Sequence, residues 1–134
     1  MTFLRERVPL FAGVSEEHLT ALATVSILSS YNKGQTILFK GATVDGLHVV
    51  AVGKAGVFVK VPAKGVIQVA ELGSGEVFGE TSIIEMGIAG ATIKAVDDGT
   101  YILMIPQEAF RALMTDSPDF VQRVQSLIAS RKAA

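Results

Sequence analysis

The chain has 134 residues, 49% of them apolar, and its 12 Lys and Arg against 13 Asp and Glu leave a net charge of -1. That size and composition suit one domain around one core, and the near-neutral balance lacks the basic face that wrapping a nucleic acid requires. The absence of cysteine excludes disulfides, thiolate metal sites and a cysteine nucleophile, and it fits the cytosol. The start, Met1 to Leu10, mixes Arg5, Glu6 and Arg7 with a few apolar residues and lacks the apolar run of a secretory leader. The longest apolar stretches are strand-sized, so no membrane span is expected and the expected location is cytoplasmic.

In chain order, Ser15 precedes a segment that puts Leu19, Leu22, Ala23 and Val25 on one face. Ser15 is a capping residue, and Glu16 and Glu17 suit the positive end of a helix dipole, so a helix is predicted within about 15–26. From about 35 to 105 the texture turns to short β-rich runs: Thr36–Phe39, Leu47–Val52, Val57–Val61, Val66–Glu71, Ala91–Val96 and Tyr101–Ile105. Turn formers separate them, among them Gly41, Asp45-Gly46, Gly53, Gly73-Ser74-Gly75 and Asp97-Asp98-Gly99, which predicts an antiparallel roll or barrel. Leu47–Val52 is apolar at both parities, as in a strand covered on both faces or facing a cavity.

After Ile105 the helical period returns. Pro106 opens a short helix carrying Phe110, Leu113 and Met114. Ser117-Pro118 then reads as an N-cap followed by proline at the first helical position. The last helix sets Phe120, Val121, Val124, Leu127 and Ile128 on one face, and Arg131 and Lys132 near its C-terminus complement the dipole. The C-terminal helices are expected within about 106–132.

Val77 to Gly90 interrupts the β-block and does not read as a strand. A short helix starting near Glu80 is the natural reading, and Gly73, Gly75 and Gly79 let the loop before it turn tightly and come close to a ligand.

With these pieces in place, the chain resembles the cyclic nucleotide-binding domain family of catabolite-activator-type regulators, protein kinase A regulatory subunits and cyclic-nucleotide-gated channels. The resemblance rests on LFAGVSEEHLTAL, NKGQTILFKGATVDGLHVVAVGKAGVFV, LGSGEVFGETSII and ATIKA, and runs from about Pro9 to about Leu127. Its most specific part is Gly73, Gly75, Phe78, Gly79 and Glu80. It implies a single domain over 1–134, mainly β with flanking helices, folded as a double-stranded β-helix or jelly-roll, with a phosphate-binding cassette over 78–91. The implied effector is a cyclic nucleotide, cAMP or cGMP. Glu80 would accept a ribose hydroxyl, and Gly79, Thr81 and Ser82 would offer backbone donors to the phosphate, as a helix N-terminus welcomes an anion. Val69 and Val77 would hold base and sugar on the roll's inner wall.

The sequence departs from the family pattern at one place. Counting back from Ala91-Thr92-Ile93-Lys94-Ala95, the position of the family's phosphate-binding arginine is Ala89, followed by Gly90, and no Arg or Lys lies between Glu80 and Lys94. An arginine matches a phosphate with paired donors. Truncating one member of a buried charge pair costs roughly 2–5 kcal/mol, more than the up to about 2 kcal/mol a helix dipole supplies. Lost or weakened binding is the reading this favours. Glu80 as a ribose ligand and Glu80 as a helix-start residue satisfying local backbone donors stand open side by side.

His18 and His48 lack metal-like partner spacing and read as surface or half-buried residues. Lys33, Lys40, Lys54 and Lys60 read as solvated charges. No nucleophile–base pair, P-loop or Rossmann fingerprint is present, and a cupin-type enzyme would need more histidines, so a non-enzyme is expected. Two functions remain: a regulatory ligand-sensing module whose C-terminal helices repack on binding, or a degenerate member used for protein contact, as a homodimer or with a partner domain through those helices. Catabolite-activator-type regulators add a helix-turn-helix after the last helix; 134 residues leave no room for one, so no direct nucleic-acid contact is expected.

Overall fold

A computed structural model describes residues 6–80 and 89–133, with the side chains of 131–133 left aside. A 3-10 turn, Pro9–Phe11, leads to helix α1 (Glu16–Val25), and eight strands follow: β1 Ile27–Tyr31, β2 Thr36–Leu38, β3 Gly46–Val52, β4 Ala55–Val61, β5 Gly65–Leu72, β6 Val77–Phe78, β7 Thr92–Ala95 and β8 Thr100–Pro106. Helices α2 (Gln107–Asp116) and α3 (Pro118–Ala133) close the chain. The strands form two antiparallel four-stranded sheets, ordered β1-β8-β3-β6 and β2-β7-β4-β5. This is the expected jelly-roll with flanking helices.

The local signals act as read. The Ser15 hydroxyl accepts from the His18 N–H at 3.2 Å and caps α1. Phe120 and Val121 N–H groups donate to the Ser117 carbonyl at 3.1 and 3.2 Å, as a helix opened by Pro118 requires. Two elements depart from expectation. The roll begins earlier, at β1, whose Ile-Leu-Ser-Ser-Tyr lies along the edge of its sheet and pairs with β8. Val77–Phe78, expected not to be strand, is a two-residue strand paired with His48 and Val49 of β3.

Strand parity divides the core in two. On one side of the β1-β8-β3-β6 sheet, Leu47, Val49, Val77 and Ile105 meet the helical layer of Leu10, Phe11, Leu19, Leu22, Phe110, Phe120 and Val124. On the other, Val50, Phe78 and Ile102 join Ala55, Leu72 and Ile93 inside the roll. Strand β3 is thus covered on both faces, which is why both its parities are apolar. Of the predicted α3 stripe, Phe120, Val124 and Ile128 are buried, and Val121 and Leu127 are half-buried. Among the described residues no helix is long and apolar enough to cross a membrane.

Phe120 is the anchor of the helical layer. It is fully buried, stacks on Phe11 at 5.5 Å and meets Phe110 edge-on at 5.6 Å. Phe120→Ala is expected to cost about 3–5 kcal/mol in chemical denaturation, because the rings of Phe11 and Phe110 lose their common neighbour.

Candidate functional site

The candidate site grows from the end of β6. Val50 N–H donates to the Glu76 carbonyl and Gly75 N–H to the Val50 carbonyl, at 2.9 and 2.8 Å, so the glycine loop is fixed to β3 before the strand begins. Gly75 has φ +90°, and a Cβ there would run into the Arg7 carbonyl. Its freedom therefore serves a tight turn under the N-terminal segment. Phe78 enters the roll and stacks on His48, ring centroids 4.9 Å apart and 14° from parallel. Gly79 follows with φ +98°; a Cβ there would sit 3.1 Å from the Gly46 carbonyl and 3.5 Å from His48 Nδ1. Only glycine takes that turn without strain against β3. Directly after it, at Glu80, the backbone enters helical conformation, and the Glu80 side chain is 1% exposed.

A carboxylate so withdrawn from water is not an ordinary surface group, since buried charges need partners or neutralisation. Thr81 and Ser82, with the rest of 81–88, lie outside the described residues, and with them most of the expected short helix. The chain reappears at Ala89, which is locked in place: its N–H donates to the Ala42 carbonyl and its carbonyl accepts from Gly41 N–H, both at 2.8 Å. Ala89 is 3% exposed and belongs to the larger core cluster. Gly90 is exposed and Ala91 half-buried at the start of the run into β7. The fold thus brings both ends of the cassette segment, Phe78–Glu80 and Ala89–Ala91, onto the same domain scaffold.

Two expected wall positions fall elsewhere. Val77 faces the helical layer rather than the roll interior, because it alternates with Phe78, which takes the inner side. Val69 is 53% exposed at the register shift of β5 against β4, where Val57 and Phe58 pair with Ala70 and Gln68. Strand β5 is an edge strand exposed along its length up to Leu72. Between the 3-10 turn, the Glu76–Val77 backbone segment and α3 lies a cleft of about 570 Å³, with Asp119, Arg123 and Leu127 on the helix side.

His48 was the feature sequence reading missed. It is half-buried, and its Nδ1 makes no hydrogen bond with the described residues. Its spacing to Phe78 and Gly79 carries no sequence signal, because the pairing is set by strand register. Burial holds the imidazole below its usual pKa of 6.5, and the Gly46 backbone and the Asp45 carboxylate offset this only in part. Among the described residues no group of three or more His, Asp or Glu is arranged to hold a metal. A folded-state pKa below the unfolded one means that the unfolded chain takes up the proton first as pH falls. The stability associated with neutral His48 is therefore full above 6.5 and is lost on acidification below it. Melting curves from about pH 7.5 to about pH 5.5 should fall more steeply for the native chain than for His48→Phe, which keeps the stack and cannot titrate. Parallel curves would contradict this.

Comparison with known proteins gives the same answer as the geometry. The cyclic nucleotide-binding domain profile matches residues 28–117. The cyclic AMP receptor protein of Thermus thermophilus is 31% identical over 123 residues, covering 92% of this chain and 56% of that protein. A crystal structure of the Thermus thermophilus catabolite activator protein superposes with a TM-score of 0.80 at 30% identity, over 93% of this chain and 58% of that one. The regulatory domain of Toxoplasma gondii protein kinase A, crystallised with cAMP, shares the fold at a TM-score of 0.80 and 21% identity, over 98% of this chain and 48% of that one. The chain spans little more than half the length of the Thermus relative. With its glycine loop, two-sided β3 and buried Glu80 set in this jelly-roll, the chain belongs to the cyclic nucleotide-binding domain family.

Proposed function

We propose that the chain is a non-catalytic regulatory module that senses a cyclic nucleotide, cAMP or cGMP, at the segment opened by Phe78-Gly79-Glu80. The observation that carries this reading is Glu80, 1% exposed immediately after a glycine at φ +98°. In the proposed complex Glu80 accepts a ribose hydroxyl, and the backbone N–H groups of Gly79, Thr81 and Ser82 receive the phosphate. Gly90 and Ala91 border the ligand where the chain returns to β7. The relative named cyclic AMP receptor protein supports the ligand class.

The output is a change in packing of the C-terminal helices. Val77 of β6 belongs to the same core cluster as Phe120 and Val124 of α3, so a shift of β6 on ligand binding would be passed to α3 through that packing. Ligand moves this equilibrium only as far as it binds the two arrangements unequally. No chemical step is part of this function, because binding energy is the whole of the signal. A second reading has its own support: the phosphate-binding arginine position is Ala89, buried in the core cluster. On that reading the fold is kept for protein contact or self-association.

Thermal denaturation with cAMP and with cGMP separates the two. The sensing reading predicts a melting temperature that rises with nucleotide concentration, by about 2.7 kcal/mol of stability at a hundred times Kd, and a smaller rise in Glu80→Gln. No rise at millimolar nucleotide, with light scattering showing a self-associated species, would favour the contact reading. Ala89→Arg should melt below the native chain without ligand, because it buries a charge in the core. With cAMP it should bind at least about tenfold more tightly than the native chain.

A further inference from the structure

The roll has an open edge where β1 and β2, the end strands of the two sheets, come together around a cleft of about 240 Å³. Strand register explains its walls. Ile27, Met104, His48 and Phe78 stand in one row across β1, β8, β3 and β6, and Ser29, Ile102 and Val50 in the next row but one. Phe78, Val50 and Ile102 belong to the interior cluster, so both rows look into the roll. The floor is therefore apolar, and Ile37 and Leu38 of β2 cover it from the facing sheet.

The rim is polar in a one-sided way. Ser29, Tyr31 and Thr43 bring hydroxyls, His48 brings an imidazole, and Asp45 brings a carboxylate close enough to act on that imidazole. Among the described residues no lysine or arginine lines the cleft and no ion pair to Asp45 is formed. Arg111 lines only the neighbouring cleft that Asp45 also borders, so an anion entering here would meet the negative charge of Asp45, whereas an ammonium group would find a carboxylate and hydroxyl acceptors around it. The cleft is below the ~300–1,000 Å³ of pockets for drug-sized ligands, so the occupant is small. The His48–Phe78 stack holds one side of the site in place in advance, and a preformed site spares the ligand the work of ordering it.

We infer that this edge of the roll is a second ligand site, adjoining the opening of the cassette through the His48–Phe78 stack, that takes a small organic cation: a primary amine on a short alkyl chain. The amine sits at Asp45 and the rim hydroxyls, and the chain lies on Ile27, Ile102 and Met104. Its occupant has the opposite charge to a cyclic nucleotide.

The test is a titration of the full chain with n-hexylammonium, 1-hexanol and hexanoate, followed through backbone amide shifts in heteronuclear NMR. Saturable shifts at Ser29, Asp45 and His48 are expected. The amine should bind roughly two- to fivefold more tightly than the alcohol, the gain of one partly exposed ion pair, and hexanoate more weakly than either. Asp45→Asn should bring amine and alcohol to equal affinity. The Asp45 contact that joins α2 uses its backbone carbonyl, which the substitution leaves in place. On the native chain itself, about 0.5 M salt should shrink the same preference. Absence of saturable shifts at these amides with all three probes, or hexanoate binding as tightly as the amine, would overturn the inference.

Discussion

Strand β3 has to satisfy two hydrophobic layers at once, Leu47 and Val49 toward the helices and His48 and Val50 toward the roll interior, and the position of the candidate site follows from that double duty. A strand covered on both faces has little freedom to slide, because a one-residue slip would exchange its two sets of side chains. The two residues of β6 inherit this register. Val77 joins the helical layer, Phe78 stacks on His48, and the next residue must turn away within the space left beside the Gly46 carbonyl. Gly79 meets that demand, and Glu80 is delivered, buried, to the start of the cassette segment.

The same geometry places the cassette opening beside the helical layer that the proposed output would move. Val77 is packed with the residues that receive α3, and Glu76 and Val77 share a cleft with Arg123 and Leu127. The cassette segment is also pinned at its far end, through the paired backbone hydrogen bonds of Ala89 with Gly41 and Ala42. On the proposed reading, a ligand held between these two anchors would act on the packed helical layer, which has discrete alternatives rather than continuous ones. Ala89 lies at the hinge of the functional question. Its methyl group fits the core as it stands, and a long cation at the same place gains favour only when an anion is there to meet it.

Much of this was legible from residue order. The Ser15 cap, Ser117-Pro118, the two-parity apolar run of β3, and Gly75 and Gly79 on either side of Phe78 each state a local physical requirement that the fold honours, whereas Gly73, expected to share that role, has neither a left-handed φ nor a close neighbour. What stayed hidden depends on partners distant in the chain. Strand β1 reads as Ile-Leu-Ser-Ser-Tyr, without alternation or a continuous apolar run, and becomes a strand because β8 offers it hydrogen bonds. Strand β6 is too short to carry a period of its own. His48 looked ordinary because nothing in its neighbourhood announces a ring 30 positions later; register alone brings Phe78 to it. The family resemblance implied Val69 on the inner wall, and the register shift beside it takes it to the exposed hairpin.

The central claim is that Gly79, and not the glycine content of the loop, makes the turn from β6 into the cassette. The direct measurement is the equilibrium stability of Gly79→Ala beside Gly73→Ala. Gly73 has open space around the position of a Cβ and no left-handed φ, whereas Gly79 has φ +98° and the Gly46 carbonyl 3.1 Å away. The account predicts that Gly73→Ala unfolds at the same denaturant concentration as the native chain, within experimental error, and that Gly79→Ala loses about 1–3 kcal/mol. Equal stability of the two variants would contradict it.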